Sequence, residues 1–285
     1  MIKIFKLVVI KILKFFKVFD KDRKLNFEIV FRLRSLYFNF HNIFSIKKKK
    51  LSDYMNIAGS DKGIKYIKMY NILPELIESK RPTILEIGVG GHSAKYSGGK
   101  SLQALMFFYR KGKIIGADII DKSFLDRSNL KTVIIDQNNT NQLNKLGKIY
   151  KSFDLIIDDG SHFTRHQKRS FEVLFKYLSN GGVYIIEDML TSYLKGWGGN
   201  PNLKKGNLVE FFKEISHAPN SEMLKKTFLK KLSNYKNIEL IFFFKNAVLI
   251  KKRVKKHKII SSKILNQPLK KSDPRKKKEG YLVLS

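Results

Sequence analysis

The segment FDLIIDDGSHF, Phe153 to Phe163, ends an apolar run in Asp158, Asp159, a glycine, a serine and His162, and GGVYIIED (181 to 188) ends another in Glu187 and Asp188. Asp159, Glu187 and Asp188, in a chain with no cysteine, make a hard oxygen donor set suited to magnesium, calcium or manganese. Such a site leaves positions for water and substrate oxygens. A dication supplies the positive charge that adjacent carboxylates at the mouth of a buried strand otherwise lack. His162 falls three residues past Asp159, at the rim, where an acceptor hydroxyl would lie between metal and imidazole. Imidazole exchanges its proton near neutral pH, which suits a general base. His166, one turn later, is read as a helix-face residue.

A second group surrounds the glycine turn EIGVGG, with Glu86, Gly88, Gly90 and Gly91, followed at the next strand end by Asp118. Glycines let the backbone approach a ligand closely, and an acid one strand over can hold ribose hydroxyls. The third glycine of a dinucleotide fingerprint would fall at Ser93, and no phosphate-binding lysine motif is present. Recognition of a nucleoside without a pyrophosphate remains, and S-adenosylmethionine fits that description.

These residues need elements to position them. From about 52 to 250, strand and helix patterns alternate, which predicts an α/β fold with a mostly parallel sheet. Strands are expected at TILEIGVGG (83 to 91, running into the glycine turn), GKIIGADI (112 to 119), KTVIID (131 to 136), FDLIID (153 to 158) and GGVYIIED. A closing pair over 237 to 253 turns at Lys245 and Asn246, for seven strands with a C-terminal antiparallel hairpin. Leu102, Leu105, Met106 and Tyr109 mark one amphipathic helix; Phe171, Leu174, Phe175 and Leu178 mark another; a helical stretch covers 207 to 232. Helices are expected on both faces of the sheet. Glu86, Asp118, Asp136, Asp158, Asp159, Glu187 and Asp188 all fall at or near carboxyl ends of strands, the edge where open α/β sheets bind ligands. Each acid alone could cap a helix. A whole row of them calls for ligands.

The chain of 285 residues divides into a basic amphipathic segment (1–50), one domain (51–253) and a basic tail (254–285). Lys3, Lys6, Lys11, Lys14 and Lys17 punctuate the apolar N-terminus, so neither a secretory signal nor a membrane span is read there. That segment suits either a peripheral anchor on an anionic membrane face or a helix docked on protein. The formal charge of +33 is nearly all lysine, accompanied by abundant isoleucine, asparagine and phenylalanine, so a nucleic-acid partner is disfavoured. The expected location is the cytoplasm, with the inner membrane face as the peripheral alternative.

SDKG (60 to 63) with Tyr66 and Tyr70, LEIGVGG, GGKSL (98 to 102), ADIIDKS (117 to 123), DQNN (136 to 139), FDLIIDDGSH, SFEVLF (170 to 175), GGVYIIED and TSYLKGWGG (191 to 199) occur in an order that resembles the macrocin and mycinamicin type sugar O-methyltransferases. The resemblance covers about 52 to 200. It implies a Rossmann-like class I methyltransferase that uses S-adenosylmethionine and Mg2+ to methylate a sugar hydroxyl. It further implies metal ligands at Asp159, Glu187 and Asp188, a general base at His162, and a cofactor site at Glu86, Gly88, Gly90, Asp118, Asp136 and Asp158 with Ser101 and Gln137 beside it. A homo-oligomer stays open, because the family's long N-terminal region is shorter here and differently composed. The alternatives are methylation of a non-sugar diol, an RNA methyltransferase and a non-catalytic membrane-attached binding protein.

Overall fold

A computed structural model describes residues 23–44, 50–91, 96–224 and 226–254. The expected amphipathic character of the first 17 residues and the basic tail beyond 254 lie outside the described residues. Three helices, α1 (Arg23–Phe44), α2 (Leu51–Ala58) and the single turn α3 (Lys62–Lys65), precede α4 (Ile67–Leu76). The alternating part follows as β1 (Thr83–Ile87), α5 (Lys100–Phe108), β2 (Lys113–Asp118), β3 (Leu130–Ile134), α6 (Thr140–Tyr150), β4 (Phe153–Asp158), α7 (Thr164–Leu174) and β5 (Leu178–Glu187). Short helices α8 (Leu208–Ile215) and α9 (Lys226–Leu232) lead to β6 (Ile238–Phe244) and β7 (Ala247–Lys252).

The strands form one seven-stranded sheet in the order β3-β2-β1-β4-β5-β7-β6. Pairing is parallel from β3 through β5, and β7 enters antiparallel to both β5 and β6. The hairpin turn falls at Lys245 and Asn246, as the sequence predicts. Strand side chains alternate between faces, so Ile84, Ile114, Leu155 and Val183 join one core with α1, α2, α4 and α5. Leu85, Ile115, Ile156 and Tyr184 join another with α6, α7 and α8. Both faces are covered, which is what nearly continuous apolar strands require.

Local signals set the element ends. Asn139 caps α6 by accepting from the amides of Asn141 and Gln142, and Asn207 caps α8 in the same way through Val209 and Glu210. Gly59, at φ 75°, closes α2 in a left-handed turn. Two boundaries differ from the sequence reading. Leu178 opens β5 by pairing with Phe153, instead of ending the preceding helix. The stretch 207 to 232 is broken after Ile215, and Pro219 sits in the first turn of the 3-10 segment Ala218–Met223 that follows.

Helix α1 packs on the same core as the sheet. Phe38 is fully buried and stacks between Tyr54 (5.4 Å) and Phe107 (4.6 Å), while Gln103 Nε2 donates to the Phe31 carbonyl at 3.1 Å. Arg127 pairs with Glu28 at 2.8 Å. Of the two readings of the N-terminal segment, its described part takes the docked one. Phe38→Ala should therefore cost about 3–5 kcal/mol in denaturant unfolding, whereas a helix merely tethered to the domain would give a change near zero.

Candidate active site

The strand order reverses beside β1, whose neighbours are β2 on one side and β4 on the other. Loops leave that point in opposite directions and open a crevice. A cleft of about 600 Å3 lies there, lined among others by Gly88, Gly90, Asp118, Ile119, Asp136, Gln137, Asp159, His162, Glu187 and Asp188. The glycine turn is tied down by its neighbours: the Gly88 amide donates to the Ala117 carbonyl, and the Val89 amide to Asp118 Oδ2, both at 2.8 Å. Asp118 Oδ1 takes the Ile120 amide at 3.0 Å. Gly88 has φ 86°, and a Cβ there would sit 2.0 Å from the Asp159 carbonyl oxygen, so only glycine lets the two loops meet. At Gly90 a Cβ would meet nothing within 4 Å, which marks open space on the cleft side of the turn. Ile119, 67% exposed at the cleft edge, offers an apolar surface to a flat ring. These features fit a nucleoside.

Glu86, Ser101 and Asp158, expected beside the cofactor, do not line the cleft. Glu86 and Asp158 are fully buried. Ser101 Oγ donates to Glu86 Oε1 at 2.7 Å, and Glu86 Oε2 has no hydrogen-bond partner among the described residues. Asp158 acts through Gln137, whose Nε2 reaches both of its oxygens at 2.7 and 2.9 Å. Gln137 Oε1 then accepts from the Ser161 amide at 2.8 Å, fixing the turn that carries Asp159 and His162.

On the other side of the cleft, ligand atoms of Asp159, His162 and Asp188 lie within 4.8 Å of one another. His162 Nε2 stands 3.7 Å from Asp188 Oδ2. Both His162 (φ 58°) and Asp188 (φ 54°) hold left-handed backbone conformations, a cost that surrounding contacts must maintain. Asp188 Oδ1 accepts from Tyr66 Oη and Asn246 Nδ2, each at 2.8 Å, and the Asn246 carbonyl takes the Met189 amide at 3.0 Å. Asn246 sits in the β6–β7 turn, so the hairpin clamps the loop that bears Asp188. The rings of His162 and Trp197 are 6.1 Å apart, and Phe163 contacts the same indole at 5.3 Å.

Glu187 differs from its expected placement. It borders the cleft, yet it is nearly fully buried, with Oε1 accepting from Tyr70 Oη and Oε2 from Lys62 Nζ at 2.5 Å. His162 takes its place in the group whose ligand atoms converge. Lys62 Nζ also lies 2.5 Å from Asp159 Oδ2 and 3.6 Å from Glu86 Oε1. Burial alone would lower the pKa of Lys62, but Glu187, Asp159 and Glu86 around it hold it well above the ordinary lysine range. Burial pushes Glu187 up to about 8 and Glu86 up to about 6, so one ammonium does not balance the cluster. Two carboxylates open to the cleft, backed by this residual negative charge, fit a hard dication, and the imidazole stands beside them. The sequence reading gave no role to Lys62, Tyr66, Tyr70 or Asn246. SDKG with its two tyrosines held the signal for the first three; nothing local marks Asn246.

Fold and site together define the chain as having the class I methyltransferase architecture. It is a homologue of O-methyltransferases that act on the sugars of macrolide and related antibiotics, with curated relatives at 36–45% identity. It is 45% identical over 137 residues to mycinamicin VI 2''-O-methyltransferase of Micromonospora griseorubida, covering 47% of this chain and 34% of that protein. It is 42% identical over 126 residues to demethylmacrocin O-methyltransferase of Streptomyces fradiae, covering 44% and 32%. The MycE methyltransferase in complex with Mg and SAH matches with a TM-score of 0.67 and 30% identity over 76% of this chain and 58% of that one. MycE with Mg, SAH and mycinamycin VI matches at 0.65 and 29%, with the same coverage. The chain thus spans about a third of the length of these two curated relatives. No family model matches it. Among the described residues no helix is long and apolar enough to cross a membrane.

Burial pushes the Asp158 carboxyl up to about 7, against the hydrogen bonds from Gln137. A group raised in the folded state contributes stability that is full below its unfolded pKa, about 4, and is lost as pH rises through about 7. Asp158→Asn should therefore gain stability relative to the wild type across that window and level off above it. Chemical unfolding of both proteins at pH 4.5, 6 and 8 measures the difference, and a constant offset would contradict it.

Proposed function

We propose that the protein is an S-adenosylmethionine- and Mg2+-dependent O-methyltransferase that acts on a hydroxyl of a sugar in a glycoside, saccharide or glycolipid. The convergence of Asp159, His162 and Asp188 at the mouth of a nucleoside-sized cleft carries this reading. Homology to enzymes named for sugar O-methylation supports it. Asp159 and Asp188 would hold the metal with Glu187 behind them, and Gly88, Gly90, Asp118, Asp136 and Gln137 would hold the cofactor. Bound there, the cofactor supplies an electrophilic methyl group, and the dication supplies Lewis acidity that makes a hydroxyl easier to deprotonate.

The chain's own groups do the rest. His162 Nε2 accepts the hydroxyl proton, and Asp188 Oδ2, 3.7 Å away, stabilises the imidazolium that results. Tyr66 and Asn246 keep Asp188 in place, and Gln137 keeps the His162 loop in register. Trp197, 38% exposed, offers a flat apolar surface near the base, suited to the C–H face of a sugar ring. Tyr193, 40% exposed, ends the 3-10 turn Met189–Tyr193 that follows Asp188.

Transfer of a labelled methyl group to saccharide extracts, with and without chelator, tests the reading, and simple catechols in parallel separate sugar from non-sugar diols. Expected are chelator-sensitive labelling of saccharide and a loss of about 10²–10⁴-fold in kcat for His162→Ala, with calorimetric affinity for S-adenosylmethionine retained. Chelator-insensitive transfer would overturn the mechanism. Attachment to an anionic membrane face through the basic residues ahead of Arg23 is part of the same proposal. Removing residues 1–22 should then abolish sedimentation with phosphatidylserine vesicles, and unchanged sedimentation rules the anchor out.

A further inference from the structure

We propose that Lys62 is a resident cation that makes the acidic cluster stable before any metal arrives, so the site is built in advance rather than organised by the ion. The inference rests on the metal-dependent reading above. Three carboxylates from three adjacent strand ends, Glu86 of β1, Asp159 after β4 and Glu187 of β5, surround one ammonium that is 4% exposed. Nothing else of positive charge contacts Glu187 among the described residues; its other oxygen takes only the Tyr70 hydroxyl. Without Lys62, buried Glu86 and Glu187 beside Asp159 would have to stay unpaired or take up protons, and either lowers stability.

The geometry also divides the labour. Lys62 takes Asp159 Oδ2 and Glu187 Oε2 from the protein side. Asp188, the outermost acid, is held by the neutral donors Tyr66 and Asn246 through Oδ1. Asp159 Oδ1 and Asp188 Oδ2 are left without a hydrogen-bond donor among the described residues, and His162 Nε2 stands 3.7 Å from the latter. A dication entering from the cleft would share its carboxylates with an ammonium of like sign. Lys62 therefore supports the fold and weakens metal affinity at once, which makes it a positioning residue.

The test compares the full-length wild type with Lys62→Gln in thermal unfolding, in chelator and in excess MgCl2. The wild type should gain only what its own, weaker Mg2+ binding supplies, less than the variant gains. The variant should lose on the order of 6 °C or more in chelator, regain more than half of that in Mg2+, and bind Mg2+ roughly tenfold more tightly than the wild type in calorimetry. A loss equal in both conditions would show a packing role only and overturn the proposal, as would no loss at all or weaker Mg2+ binding. If Lys62→Gln cannot be purified, the double variant Lys62→Gln/Glu187→Gln decides: it should fold without metal, and failure to do so counts against the proposal. None of these readouts needs an acceptor. Absence of methyl transfer alone would sink the function proposed above and leave this comparison standing, whereas Mg2+ bound by neither protein would sink both.

Discussion

Mutual repulsion among carboxylates gathered at one sheet edge is the constraint to which the rest of the structure responds. Parallel strands β1, β4 and β5 end side by side, so Glu86, Asp159 and Glu187 cannot avoid one another. Water cannot screen them, because Glu86 and Glu187 are buried beneath the cleft. The chain answers from a segment ahead of the sheet: Lys62 places its ammonium among the acids, and Tyr70 saturates what remains of Glu187. The N-terminal helices are thus part of the site's electrostatics as well as part of the core.

The same edge separates two tasks by burial. Around β1 and β2 the polar groups are consumed in internal bonds: Asp118 binds two amides, Glu86 takes the Ser101 hydroxyl, and Asp158 meets the cleft only through Gln137. Around β4 and β5 the chain keeps Asp159, His162 and Asp188 partly open and spends left-handed backbone conformations on aiming two of them. Rigid support beneath and open ligand atoms above is the arrangement a reaction centre needs.

Much of this was legible in the sequence because the strands are short apolar runs that end in acids, and period and punctuation mark them plainly. Seven strands, the closing hairpin and its turn at Lys245 and Asn246 follow from that pattern. Acidic strand ends also pointed to the edge where the cleft opens. What the pattern could not convey is which oxygen faces the cleft. Glu187 and Asp188 are neighbours in sequence, yet the last residue of β5 turns inward to Lys62, and the left-handed backbone at Asp188 leaves the next carboxylate outward beside His162. In a lysine-rich chain the residue type alone carries no sign of burial, and Lys62 stands out only through its place in SDKG ahead of Tyr66 and Tyr70. The start of β5 at Leu178 was missed because one apolar residue serves equally well as the end of a helix or the start of a strand.

The bond from Asn246 to Asp188 joins residues 58 positions apart. A nascent chain that has emerged only through β5 already owns every acid and the imidazole, but it lacks the amide that locks the outer carboxylate. The outer carboxylate therefore gains its second donor only when the terminal hairpin pairs onto the sheet, so the last strands to be made complete the edge that the first ones begin.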